Sequence, residues 1–319
     1  PGCRLLALVG VGGIGKTRLA LQAAREQLGS FHHGIYFVPF SAVKSPELIV
    51  PAVAAAVGLA FHEGEDPRVS LLNYLREKEM LLVLDNLEHL LAGVTILAAI
   101  LRQAPGVVLL VTSRERLNLR EEWVFQVEGL AYPQTGAAVE HREALEGCSA
   151  VDLFVQSAQR VRRDLSPSDS EMEGIVEVCR LVAGVPLALE LAAAWVTVRS
   201  CQEIAREIER NLDVLSSNFR DVPPRHQSIR ATFEHSWGLL SAEEQRVFAR
   251  LSVFRGGFGQ TAATAVTGAS PHMLLALSDK SLIRRVAPNR YEMHELLSQY
   301  ASEKLESDSP VHRQMVERH

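Results

Sequence analysis

Eight consecutive residues, Gly10-Val11-Gly12-Gly13-Ile14-Gly15-Lys16-Thr17, carry the clearest chemistry in this chain of 319 residues. They match G-x-x-x-x-G-K-[ST] at each fixed position, between an apolar run (Leu5 to Val9) and a helical pattern that begins near Leu19. Glycines let the backbone turn tightly enough for its N–H groups to face a polyphosphate. The positive end of the following helix adds to that attraction. Lys16 would neutralise the outer phosphates, and the Thr17 hydroxyl would hold Mg²⁺. Gly10, Gly12, Gly13, Ile14, Gly15, Lys16, Thr17 and the adjoining Arg18 are therefore the candidate nucleotide contacts. A glycine-rich strand-to-helix turn with an incidental lysine is the plainer alternative.

Two more apolar runs end in polar residues. Met80-Leu81-Leu82-Val83-Leu84 leads into Asp85, the pattern of a Walker B element. An acid at the carboxyl end of a central strand lies in the crevice where open α/β sheets bind ligands, and Asp85 would share the metal with Thr17. It could instead cap the next helix. The residue after it is Asn86, which can orient water but accepts a proton poorly, so slow hydrolysis is expected. Glu88 can reach toward the site, or it can be a solvated helix-start residue. Val107 to Val111 leads into Thr112-Ser113-Arg114. Arg114 can sit near a γ-phosphate, because arginine keeps its charge and binds phosphate bidentately, or it can be a surface residue opening a loop. Lys16, Asp85, Asn86, Glu88 and Arg114 make up the candidate catalytic set.

The elements that must place these residues alternate up to about residue 127, as in a mostly parallel sheet wrapped by helices. Strands are expected at 5–9, 35–40, 80–84, 107–112 and, as a short edge, 123–127. Helices are expected at 18–28, 46–57 (with Ser45 as cap), 69–77 and 90–102. Residues 133–147 read as a linker. Helices follow at 150–161, 171–182, 186–198 and 201–215, then a second linker at 216–225 containing Pro223-Pro224. The last section predicts helices at 229–239, 242–251 (capped by Ser241), 273–280 and 296–306. A hairpin, 283–286 with 290–293, completes a winged-helix pattern. The fold class is thus an α/β P-loop NTPase, followed by an all-α helical domain and a winged-helix domain. The expected boundaries are 1–130, a linker 131–149, 150–220, 221–310, and a further helical stretch starting at 311–319.

Composition narrows the function classes. Hydrophobic residues make up 47%, charged residues 22%, and the formal net charge is −5, which gives no electrostatic footprint for nucleic acid. No apolar segment approaches the length of a membrane span. The first residues read as a strand rather than a signal peptide, and the four cysteines form no C-x-x-C pair, as expected of reduced thiols in the cytoplasm. Both ends read as cuts from a longer polypeptide.

The order of motifs resembles the STAND class of signal-transduction ATPases in its NB-ARC/AP-ATPase branch, which includes plant disease-resistance proteins, apoptosome scaffolds and bacterial regulators. The matching pieces are Gly10–Thr17, Leu81–Asp85 with Asn86-Leu87-Glu88-His89-Leu90, Thr112-Ser113-Arg114, Gly184-Val185-Pro186-Leu187-Ala188-Leu189, and Met293-His294-Glu295. The resemblance implies ADP or ATP with Mg²⁺ as cofactors. It implies that Pro186, with Leu187 beside it, packs on adenine, and that His294 reaches the β-phosphate of ADP. Glu295 departs from the family's aspartate by one methylene, and the family's segment before the first strand lies outside this sequence. A closed ADP state and an open ATP state that self-associates through a longer parent protein are the implied behaviour.

Two other functions compete with the switch: a DNA-binding regulator acting through the winged helix, and a P-loop kinase. From Asp221 to His319, twelve Lys/Arg stand against eleven acids, so no basic face is expected to bind DNA directly. A P-loop kinase would use the same loop and Asp85, but no second substrate pocket with an acid or base is legible.

Overall fold

The computed structural model describes residues 2–133, 147–216 and 227–306. The expected linker positions 134–146 and 217–225, and the stretch 311–319, lie outside the described residues. The described residues fall into two compact units: those in 2–10 with 15–127, and those in 11–14 with the described residues from 128 onward.

In the first unit, β1 (Leu5–Val9), β2 (Ile35–Pro39), β3 (Met80–Asp85), β4 (Val107–Ser113) and β5 (Glu122–Gln126) form one five-stranded sheet in the order β2-β3-β4-β1-β5. Each neighbouring pair is parallel. Parallel strands need crossovers, supplied here by α1 (Lys16–Glu26), α2 (Ile49–Ala56), α3 (Pro67–Leu75) and α4 (Thr95–Gln103). Alternate residues face opposite sides of the sheet. Leu82, Leu84, Leu109 and Val111 join one core with residues of α2, α3 and α4. Leu81, Val83 and Leu110 join another with Ala20 and Ala24 of α1. Every residue of β3 is buried, which explains its unbroken apolar run.

The second unit begins with helices α5 (Ser149–Val161), α6 (Asp169–Leu181), α7 (Pro186–Ala193) and α8 (Cys201–Arg210). Serines set the starts of α6 and α8: Ser168 with Glu171, and Ser200 with Glu203, form reciprocal capping boxes. α6 packs on α8 at Gly174, where a Cβ would lie 2.7 Å from the Gln202 backbone nitrogen. Further on come α9 (Ile229–Gly238), α10 (Ala242–Leu251), β6 (Phe258–Gly259), α11 (Gln260–Thr267), α12 (Pro271–Asp279), β7 (Arg284–Ala287), β8 (Arg290–Glu292) and α13 (Glu295–Glu306). The three strands pair antiparallel in the order β6-β8-β7. Ser241 caps α10 through a box with Glu244.

Several expectations need correction. The helix expected at 46–57 opens with a short 3₁₀ turn, Pro46–Leu48, and the Ser45 side chain makes no capping hydrogen bond. The helix expected at 90–102 is split between a 3₁₀ turn (Leu91–Gly93) and α4. The helix expected through 215 stops at Asn211, whose extended backbone starts a separate 3₁₀ turn capped by its own side chain. Neither β6 nor α11 was anticipated. A two-residue strand shows no alternation, and α11 is an Ala/Thr-rich segment with little polar contrast.

Candidate functional site

The phosphate-loop pattern lies between β1 and α1, at the carboxyl edge of the sheet. Gly13 and Gly15 have φ of 81° and 95°, the left-handed region open to glycine at little cost. Gly15 is the N-cap of α1, and no side chain caps that helix or places an acid in its first turn. The positive end of that helix thus meets no acid of its own first turn, an arrangement suited to an anion. Residues 11–14 group with the second unit, where the Leu187 N–H donates to the Gly13 carbonyl at 3.2 Å.

Lys16 donates to the Gly10 carbonyl at 2.8 Å. Burial lowers its pKa to about 8; Glu88 acts against that shift, Arg114 with it, and Asp85 against it. A lysine so placed gains from a phosphate that restores the charged form.

The parallel register brings the ends of β3 and β4 together. Asp85 Oδ1 accepts from the Thr17 hydroxyl at 2.6 Å and from the Thr112 hydroxyl at 2.7 Å. Thr112 Oγ1 in turn accepts from the Asn86 backbone N–H at 2.9 Å. Asn86 sits at φ 67°, a left-handed conformation that asparagine tolerates better than most residues. Its side-chain nitrogen lies 3.4 Å from His89 Nδ1, and His89 Nε2 lies 2.8 Å from the Val43 carbonyl. A carbonyl can only accept, so Nε2 carries the proton; if the ring is neutral, Nδ1 then accepts from Asn86. The oxygens of Thr17 and Asp85 are hard donors of the kind that suit Mg²⁺. Among the described residues no cluster of three or more His, Cys, Asp or Glu side chains is placed to hold a metal.

Glu88 stands in the turn after β3 and Arg114 at the end of β4. Arg114 Nε donates to Glu88 Oε1 at 3.0 Å, with the residues only 6% and 4% exposed. Of the alternatives open in the sequence, a solvated Glu88 and a surface Arg114 are both excluded by this burial. Thr112 was not singled out as a site residue. The signal available was a hydroxyl at the end of an otherwise apolar strand.

In the second unit Pro186 is the first residue of α7, as its fixed φ favours. It follows Ala183 and Gly184, both at positive φ, and the Leu130 N–H donates to the Gly184 carbonyl at 2.9 Å. His294 precedes α13. Its Nδ1 accepts from the Leu296 N–H at 3.1 Å, and its Nε2 is buried with no hydrogen-bond partner. Burial pushes its pKa down to about 4, partly offset by the Val182 backbone. A neutral imidazole is therefore the form present near pH 7. Gly10, Gly15, Lys16 and Thr17 gather with Asp85, Asn86, Glu88 and Arg114 at one sheet edge, while residues 11–14, Pro186, Leu187 and His294 belong to the second unit.

Residues 1–119 match the NB-ARC domain family. A Mycobacterium tuberculosis protein named as an HTH-type transcriptional regulator is 34% identical over 315 residues, covering 95% of this chain and 34% of that protein. The regulatory protein AfsR of Streptomyces griseus is 28% identical over 334 residues, covering 97% of this chain and 31% of the relative. The chain thus spans about a third of the length of these relatives. Among solved structures, a STAND protein with a tetratricopeptide-repeat sensor from Pyrococcus horikoshii aligns over 98% of this chain and 42% of that one. Its identity is 18% and its TM-score 0.39, a likeness that carries no argument. No described helix is long and apolar enough to cross a membrane. Its phosphate loop, its parallel sheet and the family match together make residues 1–119 an NB-ARC domain, and the likeness to named regulators runs over 95% or more of the chain.

Proposed function

We propose that this chain is the nucleotide-dependent switch of a signalling protein, resting with ADP and activated by ATP, with slow hydrolysis between the two states. The observation that carries this reading is the Asp85 hub. One carboxylate oxygen gathers the hydroxyls of Thr17 and Thr112 beside a desolvated Lys16, while the residue that follows it is an amide, Asn86. Lys16 would hold the outer phosphates, and Thr17 with Asp85 would hold Mg²⁺. Asn86 and Glu88 would face the attacking water, and Arg114 would answer to the γ-phosphate. An amide cannot take a water proton as a carboxylate does, which favours a long-lived nucleotide state over rapid turnover.

Pro186 and Leu187 are proposed adenine contacts, and His294 a proposed phosphate contact that favours the diphosphate state. A winged-helix identity for residues 221–310 and a helical domain at 150–220 belong to the same proposal. So do self-association of the parent protein in the ATP state and a cytoplasmic location. Relatives are named as transcriptional regulators, so control of transcription is proposed for the whole protein, through regions beyond this chain. Direct DNA binding by this chain is not part of the reading.

Acid extraction of the purified protein, followed by chromatography, tests the switch. ADP retained through dialysis is expected, with turnover far below the enzyme median of about 10 s⁻¹. Steady turnover near that rate refutes it.

A further inference from the structure

The Glu88–Arg114 pair has a defect. Glu88 engages its partner through Oε1, while Oε2 is buried and receives no hydrogen bond. Two charges taken out of water are offset only when their remaining lone pairs and protons are satisfied, and this carboxylate leaves one oxygen bare. A phosphoryl group offers several oxygens in a geometry that a guanidinium grips bidentately. The pair is also close to where such a group would arrive. Glu88 and Arg114 both act on the charge of Lys16, the loop lysine aimed at the outer phosphates. Arg114 thus stands between a carboxylate that engages it through one oxygen and a ligand able to grip it bidentately.

Resting on the nucleotide-binding reading above, we propose that Glu88 is an internal competitor for Arg114, displaced by a terminal phosphate, so that this pair sets the preference of the site for nucleoside triphosphate over diphosphate. A triphosphate must draw Arg114 away from Glu88 before it gains the guanidinium. A diphosphate leaves the pair intact and meets no such cost. The competitor therefore weakens triphosphate binding selectively and holds the site toward the diphosphate state. A ligand shifts a conformational equilibrium only by its differential affinity for the two states, and here the difference resides in one guanidinium.

Glu88→Gln keeps the side-chain length and removes the competing charge. Titration of the intact chain with ADP, and with adenylyl imidodiphosphate plus Mg²⁺, is expected to show triphosphate affinity raised on the order of fivefold to tenfold. ADP affinity should stay within about twofold. Arg114→Gln should weaken the triphosphate analogue and spare ADP, and the double variant should show non-additive effects, as expected for residues in contact. Equal shifts for both nucleotides in Glu88→Gln overturn the proposal. If that variant fails to fold, the wild-type structure with the analogue bound decides: a Glu88–Arg114 distance beyond 4 Å supports displacement, and a pair still at 3.0 Å refutes it. A wild-type chain that binds neither nucleotide refutes the underlying functional reading, and the proposal with it.

Discussion

Lys16 should make nucleotide affinity fall with pH across a range where most phosphate ligands are insensitive. Its pKa lies at about 8 in the ligand-free protein because burial disfavours the ammonium. Phosphate binds the charged form, so above pH 8 each binding event must first return a proton to Lys16. For a group with pKa near 8, the ammonium fraction falls from about nine-tenths at pH 7 to about one-tenth at pH 9, so ADP affinity should drop about tenfold. A phosphate monoester's second pKa is near 6, so the ligand contributes little to this drop. Calorimetry in buffers of differing ionisation enthalpy should detect nearly one proton taken up per ADP at pH 9. Lys16→Arg keeps its charge throughout and should flatten the profile, whatever its absolute affinity. The stability of the free protein should move the opposite way. Between pH 8 and 10.5 the unfolded chain holds a proton that the folded chain has lost, so the Lys16 contribution to stability rises with pH, measurable against Lys16→Met. A flat affinity profile from pH 7 to 9, or an equal slope in Lys16→Arg, would refute the reasoning.

Two further variants probe the frame. Thr112→Val preserves shape but removes the donor to buried Asp85 and the acceptor of the Asn86 N–H, so a loss of about 1–3 kcal/mol is expected. Urea unfolding should show a lower midpoint at unchanged slope. Gly184→Ala places a Cβ 2.1 Å from the Leu130 carbonyl oxygen at a φ of +67°; a loss of about 2 kcal/mol or more is expected, read as a lowered melting temperature.

Much of the loop and of the strand ends beside it was legible because their constraints are local. A loop that must turn at Gly13 and Gly15 and then open a helix leaves few residue types free, and β3 announces its central place by being apolar at both parities. The Glu88–Arg114 pair was not legible, since it joins residues 26 positions apart that meet only because β3 and β4 lie side by side. Spacing alone left Glu88 equally suited to water, solvent or an ion pair. Asn86 looked like a weakened acid position, but its left-handed backbone and its link through His89 to Val43 depend on a turn whose sequence carries no glycine. The helix breaks near Gly93 and Asn211 follow caps and 3₁₀ turns that hydrophobic spacing does not register.

The unmet polar demand beside the loop is of a kind that an anion would answer. Ser168, Ser200 and Ser241 each close a reciprocal box with a glutamate three residues on, while α2, α4, α5, α7 and α11 start without a side-chain cap. At α1 the N-cap is Gly15, whose left-handed backbone excludes the extended conformation that a serine or aspartate cap needs. Beside it, Lys16 is held where its charge is disfavoured, and Glu88 keeps one buried oxygen without a donor. Each of these lowers the stability of the ligand-free protein. An anion with several oxygens, arriving with a divalent cation, would answer the positive end of α1 and the lysine together. With Arg114 drawn to that anion, Glu88 would be free to turn its carboxylate to water. If a nucleotide binds there, the stability given up at this sheet edge returns as affinity, and the ligand moves the balance between states by its differential affinity for them.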